Sequence, residues 1–156
     1  MAKLKILPLL IVLTLAACGK TGLTPDTTVN APRGLGIQGF DPVAYHADKK
    51  AKPGTTQFQT AYQGVVYQFT NAQNKQAFDA NPQSYLPAYG GYCAYAMSNG
   101  DIVDINPRNW TVINGQLYLN ANIFAQGLFA INTDKKIREA NGHWNTLISS
   151  AANRAE

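Results

Sequence analysis

The sequence predicts a small, single-domain α+β fold of antiparallel strands and hairpins with two to three helices. Two pairs of short segments alternate apolar and polar residues, and each pair is joined by a turn sequence, Gln63-Gly64 or Asn114-Gly115. Two stretches nearer the C-terminus carry apolar residues at helical spacing. The chain of 156 residues is long enough for one hydrophobic core and too short for two comfortable ones.

The N-terminus is expected to be an export signal rather than part of this fold. Two lysines precede a mostly apolar run, residues 6–15, which is too short to span a bilayer permanently. Leu15-Ala16-Ala17-Cys18 then resembles the lipobox of bacterial lipoproteins. That resemblance implies that residues 1–17 are a signal peptide and that Cys18 is lipidated, with palmitate among its acyl groups. An ordinary signal peptide with a chance cysteine is the alternative.

The segment that follows is predicted to be a flexible tether. Residues 18–36 are rich in Thr, Pro, Gly and Asn and show no apolar periodicity. Gly19 stands directly after the lipobox cysteine, where an aspartate is the familiar signal for retention in the inner membrane. We therefore expect a lipid anchor in the outer membrane of the cell envelope, with the domain facing the periplasm.

Charge and cysteine content narrow the classes of partner. The net charge of the chain is +4, and removal of Lys3 and Lys5 with the signal peptide leaves about +2. No basic cluster exceeds residues 49–52, which argues against nucleic-acid binding. Two cysteines in an exported chain normally suggest a disulfide, but lipidation of Cys18 leaves Cys93 unpaired. Cys93 is therefore either buried and inert or functional.

The domain proper is expected over residues 37–148, with a short tail over 149–156. Asp41-Pro42 favours a turn, because a proline biases the preceding residue away from helix. After it, two apolar residues alternate with Ala44 and His46. The first hairpin follows, and its alternating residues should share one buried face: Phe58, Thr60, Tyr62, Val65, Tyr67 and Phe69.

A helix is expected after the first hairpin. Thr70 or Asn71 can cap it, and it should run to about Ala80 before Asn81-Pro82 ends it. A short strand is then expected over residues 101–105.

The last third of the chain is expected to hold the second hairpin and two helices. Pro107 should end the short strand, and Asn114-Gly115 suits a type I′ turn between two strands. One helix carries its apolar residues on one side, and a second is capped near Thr133. The apolar side of the first of these helices is formed by Ile123, Phe124 and Leu128. The sequence shows no internal repeats.

Residues 89–100 hold the feature on which function depends. They pack three tyrosines, the glycine pair Gly90-Gly91 and Met97 around Cys93. Paired glycines let the backbone turn tightly, so the thiol that follows should be held in a defined place. Such a thiol can serve as a metal ligand, a redox group or a small buried hydrophobe.

Several segments occur in an order that resembles the YHS domain. They are Gly39-Phe40-Asp41-Pro42-Val43-Ala44-Tyr45, Gly64 with Tyr67-Gln68-Phe69, and Phe78-x-x-Asn81-Pro82-x-x-Tyr85. The extended form of that domain in exported bacterial proteins continues with segments similar to Tyr89-Gly-Gly-Tyr-Cys-Ala94 and Trp110 to Asn120. The resemblance covers roughly residues 37–146.

The resemblance implies little about chemistry. Shorter YHS domains occur in heavy-metal pumps and metal-handling proteins, where cysteines follow the Asp-Pro-Val sequence and the aromatic strand. This chain has Ala44-Tyr45-His46 and Tyr67-Gln68-Phe69-Thr70 at those places, so that metal role is not carried over. For the exported branch, the resemblance implies no established catalytic activity.

The residues themselves still suggest a metal site. Cys93, Met97, His46 and His143 make up the ligand set of a mononuclear copper site, and a thiolate with histidines also suits zinc. In a strand, Cys93 and Met97 would lie roughly 13 Å apart, whereas a helical turn would bring them together. His143 falls away from the apolar stripe of its predicted helix and should lie at the rim of any such site.

Two other classes stay open for Cys93. A thiol-dependent enzyme would use a histidine to lower the thiol pKa, but no third orienting residue stands out, and we expect no enzyme. In the other class, Cys93 is a buried packing residue of a structural or interaction domain. We expect a membrane-tethered, non-catalytic binding module, with copper or zinc at Cys93 as a candidate ligand.

Overall fold

The structure is a computed structural model that describes residues 28–153, which form one small α+β domain with two antiparallel two-stranded sheets. This confirms the predicted class, although five α-helices are present where two to three were expected. The predicted signal peptide and Cys18 lie outside the described residues. The helices are α1 (Pro42–Ala47), α2 (Ala72–Ala80), α3 (Ala94–Ser98), α4 (Ile123–Ala130) and α5 (Thr133–Ala152), and the strands are β1 (Thr55–Tyr62), β2 (Val65–Phe69), β3 (Asn106–Ile113) and β4 (Gln116–Asn120).

Both predicted hairpins are present. β1 pairs with β2 across Gln63-Gly64, and β3 pairs with β4 across Asn114-Gly115. Both residues of each turn have positive φ, as the type I′ turn requires. The apolar residues of β2 are buried as expected, and those of β1 are partly buried because one face of that strand meets solvent.

The two helices that the sequence analysis missed are short and follow turns. Asp41 caps α1 by accepting hydrogen bonds from the N–H groups of Val43 and Ala44, with Pro42 in the first turn. The alternation over residues 43–46 therefore lies in a helix, not in extended chain. α3 is only five residues long and starts directly after Cys93.

The strand expected over residues 101–105 is not formed. β3 begins instead at Asn106 and runs through Pro107, which was predicted to break it. The register of the β3–β4 pair shifts between Asn106 and Trp110, and this irregularity accommodates a residue that cannot donate to a ladder.

The structure contains two units with the same backbone plan, a correspondence that the sequence analysis, in which no repeat was visible, did not anticipate. We call residues 35–80 the first unit and residues 87–131 the second unit. Each unit runs through a 3₁₀ turn, a short helix, a hairpin and an asparagine-capped helix, in that order. The helix-capping residues Asn71 and Asn122 each accept from the N–H three residues later.

The backbone contacts of the two units also correspond. Leu35 forms a parallel bridge to β2, and Pro87 forms the equivalent bridge to β4. Each 3₁₀ turn contains three consecutive residues with positive φ, ending at Gly39 or Gly91. The N–H groups of the residues before α1 and α3 then bond equivalent carbonyls: Asp41 N to Lys52 O at 2.9 Å and Cys93 N to Val103 O at 3.0 Å.

The hydrophobic core has two parts. One joins the two hairpins and includes Phe69, Phe78, Cys93 and Leu119. The other lies between α3, α4 and the long helix α5, which has no counterpart in the first unit. Tyr45 links the units, since its hydroxyl donates to Pro107 O at 2.9 Å and its ring lies 5.3 Å from that of Trp110.

Part of the predicted tether lies against the domain. Residues 18–27 are outside the described chain, but residues 28–36 pack on its surface. Asn30 donates from its backbone to Gly90 O at 2.8 Å and from its side chain to Asp104 at 2.8 Å. The packed body of the protein therefore includes residues upstream of residue 37, where the sequence placed its start.

Helix α4 turns its apolar side outward. Ala125 and Phe129 are buried, whereas Ile123, Phe124 and Leu128, which the sequence grouped on one side, are exposed. No helix between residues 28 and 153 combines the length and the apolar character needed to cross a bilayer.

Candidate functional site

Asp41 organises the first unit from a fully buried position. Besides capping α1, its carboxylate accepts from Thr70 N and Thr70 Oγ1 at 2.8 Å, and from Asn74 Nδ2 at 2.6 Å. Charge-assisted hydrogen bonds of this kind compensate the desolvation of a buried carboxylate. Asp41 thereby ties α1, the end of β2 and α2 into one unit.

Cys93 occupies the equivalent place in the second unit. It directly precedes α3 as Asp41 precedes α1, and its exposed fraction is 1%. Its Sγ accepts from Ala121 N at 3.4 Å, just as Asp41 accepts from Thr70 N. The thiol thus replaces a structural carboxylate at the same backbone position.

In the second unit the side chain that accepts from the first turn of α3 belongs to Asn120 and not to Cys93. Asn120 is fully buried at the end of β4, where the first unit has Phe69. Its Oδ1 accepts from Tyr95 N at 3.2 Å and lies 3.9 Å from Cys93 Sγ, which donates to it. Because Asn120 satisfies the start of α3, the fold does not need the thiol for capping.

Two small residues leave space beside the thiol. Ala121 and Ala125 stand where the first unit has Thr70 and Asn74, the two side chains that fill the surroundings of Asp41. The second unit therefore lacks the polar side chains that close the first, and a groove of about 360 Å³ opens over Cys93.

The groove is mostly apolar and is bounded by α3, α4 and the segment before β3. Cys93, Ala96 and Ala125 are its buried members, and the exposed Val103, Phe124 and Leu128 line it nearer the solvent. Asp101 is its one acidic residue among those that line it. Clefts with mostly apolar walls and a few polar groups are the usual form of small-molecule sites.

One polar atom in this region has no partner within the described residues. Asn120 Nδ2 is buried without a hydrogen bond, while the Oδ1 of the same amide has two. An unsatisfied buried donor costs ~1–3 kcal/mol unless a water or a ligand reaches it. Asn120 Nδ2 is therefore a donor that a bound group near the groove could use.

His46 lies elsewhere, at the end of α1. Its ring contacts Tyr85 edge-on at 5.5 Å, and it lines a shallow polar concavity beside the Asn114-Gly115 turn. Burial, and secondarily the charge of Lys49, lower the pKa of His46 below its ordinary value. The ring is therefore neutral at pH 7, and its Nε2 is buried without a partner among the described atoms.

The other two candidate ligands, Met97 and His143, lie apart from Cys93. Met97 is buried in the core part beneath α5, whereas Cys93 belongs to the core part between the hairpins. α3 does bring the two residues within one helical turn, with Met97 N donating to Cys93 O at 2.9 Å. His143 is exposed on α5, next to Gly100.

The structure does not gather these residues into one site. Between residues 28 and 153, no group of three or more His, Cys, Asp or Glu side chains is arranged to hold a metal ion, so Cys93, His46 and His143 do not form one. A thiol with one amide oxygen and one backbone N–H is a poor ligand set for copper or zinc.

The buried and half-buried tyrosines of the two core parts are packing residues. Burial raises the pKa values of Tyr89, Tyr92 and Tyr118, and burial also raises the pKa of Tyr67 to about 12. Their phenols stay protonated at neutral pH. Tyr89 donates to Asn141 Oδ1 at 3.0 Å and so fastens the glycine turn to α5.

Sequence reasoning singled out Cys93 but missed its surroundings. Asn120 and Ala125 carried no visible signal on their own, because an asparagine at a strand end and an alanine in a helix are common. The signal lay in the alignment of the two units: an asparagine cap follows each hairpin, at Asn71 and Asn122, and a buried phenylalanine follows each cap.

Comparison with known proteins gives one family match, which covers most of the first unit and extends beyond it. Residues 43–89 match the family model of the YHS domain, from α1 to the start of the glycine turn. Neither the search among curated proteins nor the search among solved structures returned a match. The groove over Cys93 lies outside the matched residues.

Proposed function

Residues 43–89 of this chain belong to the YHS domain family, and from that premise we propose that the protein is a non-catalytic binding module of the bacterial cell envelope. In this proposal, lipid on Cys18 holds the domain at the outer membrane on its periplasmic side. The first unit serves as scaffold, and the groove over Cys93 in the second unit is the binding site.

A single observation carries the choice of site. The two units share a backbone plan, but Thr70 and Asn74 close the first while Ala121 and Ala125 leave the second open over a thiol. The space that polar side chains occupy beside Asp41 in the first unit is therefore empty of side chains beside Cys93 in the second. The shape and lining of the groove suit a small apolar group that ends against the sulfur.

The test is thiol tethering on the full chain, expressed in a bacterial host and kept in its membrane. Membranes are incubated under mild reducing conditions with a benzyl-bearing disulfide or with hydroxyethyl disulfide, and labelling of Cys93 is read by mass spectrometry. We expect the benzyl reagent to label Cys93 at a concentration at least about tenfold lower, since the groove contributes apolar contact.

The control is a matched pair of substitutions in α4. Ala125→Asn places the first unit's residue in the groove and should abolish the preference for the benzyl reagent, whereas Ala130→Asn alters an exposed residue outside the groove and should not. Equal labelling by both reagents, or none before denaturation, would support the alternative in which Cys93 is only a packing residue.

The anchor and the metal are tested separately. Lipidation predicts incorporation of labelled palmitate that Cys18→Ser abolishes. For copper(I) or zinc, the arrangement of ligands predicts a metal content well below one ion per chain, unchanged by Cys93→Ser. A content near one that falls in Cys93→Ser would restore the heavy-metal ion as the ligand.

A further inference from the structure

The surface of α4 is unusual in this protein. All of the large hydrophobic side chains that are exposed among the described residues, apart from Val103, lie on α4 or directly after it. Their exposed fractions are 65% for Ile123, 79% for Phe124, 44% for Leu128 and 60% for Ile131. Clustered apolar exposure of this kind marks an interaction surface rather than ordinary surface variation.

The first unit shows that the fold does not require these residues. Its helix α2 occupies the same place, and there Ile123 and Phe124 correspond to Ala72 and Gln73. Later in the helix, Leu128 corresponds to Ala77. α2 folds with a polar outer face, so the apolar face of α4 serves something other than folding.

We propose that this face, Ile123, Phe124, Leu128 and Ile131, inserts into the surface of the membrane that carries the lipid anchor. The proposal rests on the lipidation of Cys18 in the proposed function. Because Phe124 and Leu128 also line the groove over Cys93, the groove would then open towards the acyl chains of that membrane.

The composition of the face fits a lipid surface. Residues 123–131 contain no charged side chain, and phenylalanine, leucine and isoleucine on one side of a short helix are the residues that partition into the interfacial zone. A protein interface normally adds a rim of polar and charged contacts within the patch. Charged side chains adjoin the face at Asp101, which lines the groove beside Phe124 and Leu128, and in the next helix.

The charges that follow complement anionic headgroups. The first turns of α5 hold three basic side chains, of which Lys135 is 66% exposed, and two acidic ones. Lys135 and Lys136 both lie near Glu139, at 3.5 and 3.9 Å, so the surface is only mildly positive. Long basic side chains at the edge of an inserted face can reach phosphates while their stems stay apolar. The charged residues concerned are Asp134, Lys135, Lys136, Arg138 and Glu139.

The length of the segment before the described domain holds the domain near the bilayer. Residues 18–27 separate the predicted anchor from the first described residue, and ten residues reach at most about 36 Å. A domain held so close experiences a high effective concentration of lipid. A patch of four apolar side chains then suffices for stable contact, although it would bind free vesicles only weakly.

The experiment places a polarity-sensitive dye at two corresponding positions. Phe124→Cys and Gln73→Cys are each labelled in the full chain, and the parent chain gives the background from Cys93. The purified proteins are reconstituted into vesicles of phosphatidylethanolamine and phosphatidylglycerol, with or without spin-labelled lipid. We expect the spin label to quench the dye at residue 124 at least about threefold more than the dye at residue 73.

Equal quenching at the two positions would overturn the proposal. A dye at residue 124 that is shielded without vesicles, in a manner that depends on protein concentration, would also overturn it and would assign the face to a second copy of the chain. A variant with two of the first unit's residues, Ile123→Ala and Leu128→Ala, made in the Phe124→Cys chain, should lose the quenching at residue 124 while its helix content, measured by circular dichroism, is unchanged.

The anchor is scored independently by palmitate labelling. Lipidated protein without quenching at residue 124 refutes this inference and leaves the proposed function intact. If the chain carries no lipid and spin-labelled lipid in added vesicles still quenches the dye at residue 124, the membrane face is supported and the lipid anchor is refuted.

Discussion

The two units of this protein share a backbone plan and differ in how each is closed. In the first, a buried carboxylate at Asp41 takes hydrogen bonds from α1, Thr70 and Asn74. In the second, Cys93 stands at that place with alanines beside it, Asn120 caps the helix, and a groove opens. The difference teaches that one backbone plan can be closed by polar side chains in one unit and left open over a thiol in the other.

The sharpest way to test this division is to remove both corresponding residues. Asp41→Ala removes five hydrogen bonds, three of them buried, so we expect a loss of about 4–5 kcal/mol in the free energy of unfolding. Cys93→Ala removes only weak sulfur contacts and a small volume, and should cost about 1–2 kcal/mol. Urea unfolding measures both, with the exposed Asp101→Ala as control. Equal losses would contradict the division.

A second pair of substitutions compares the buried phenylalanines at the centres of the two units. Phe78 and Phe129 are equivalent and buried, but among the described residues Phe78 meets four rings and Phe129 meets one, that of Tyr118. Phe78→Ala should cost about 4 kcal/mol and Phe129→Ala about 3 kcal/mol. A larger loss for Phe129→Ala, in the same unfolding experiment, would show that the second unit carries the core. The rings around Phe78 belong to Tyr62, Tyr67, Phe69 and Tyr85.

A graft can convert the second unit into the first. Cys93→Asp alone buries a carboxylate that lacks side-chain donors, and should cost about 3 kcal/mol. Adding Ala121→Thr and Ala125→Asn supplies the donors that Thr70 and Asn74 provide to Asp41, and should recover about 2 kcal/mol. The triple variant carries no thiol at residue 93, so neither disulfide reagent should label it there. If adding Ala121→Thr and Ala125→Asn does not raise the free energy of unfolding, the side chains at these positions do not reproduce the hydrogen bonds that Asp41 receives, and the proposed correspondence of the two sites is wrong.

The smallest expected effect concerns His46, whose counterpart in the second unit is Ser98. Burial lowers the pKa of His46 in the folded protein, so the unfolded chain binds the proton more tightly. Stability should therefore fall as the pH drops from above 6.5 through the lowered pKa, and become constant below it. His46→Ser should flatten this part of the pH profile of thermal unfolding. A profile that is the same in both proteins would assign the acid sensitivity to other groups.

The sequence found the two hairpins and the lone thiol because their signals are local. A Gln-Gly or Asn-Gly turn between alternating segments depends only on neighbouring residues, and both hairpins formed as expected. The expectation that Cys93 is unpaired came from the count of two cysteines together with the predicted lipidation of Cys18, which stays a prediction.

The sequence alone did not reveal the correspondence of the two units or the outward face of α4. The units share left-handed turns, caps and one buried phenylalanine, and a few such positions scattered among unlike side chains leave no visible repeat. Helical spacing showed that Ile123, Phe124 and Leu128 share a side, but spacing cannot say which side faces the core.

What the sequence by itself determined was the class of the fold, the hairpins and the thiol to examine, since these depend on short-range backbone preferences and composition. Only the tertiary structure decided that Cys93 replaces Asp41, that Asn120 takes over the helix cap, and that Ala121 and Ala125 open the groove. The physical reason is that these roles are contacts between residues far apart in the chain. Their meaning appears only when the two halves are packed side by side.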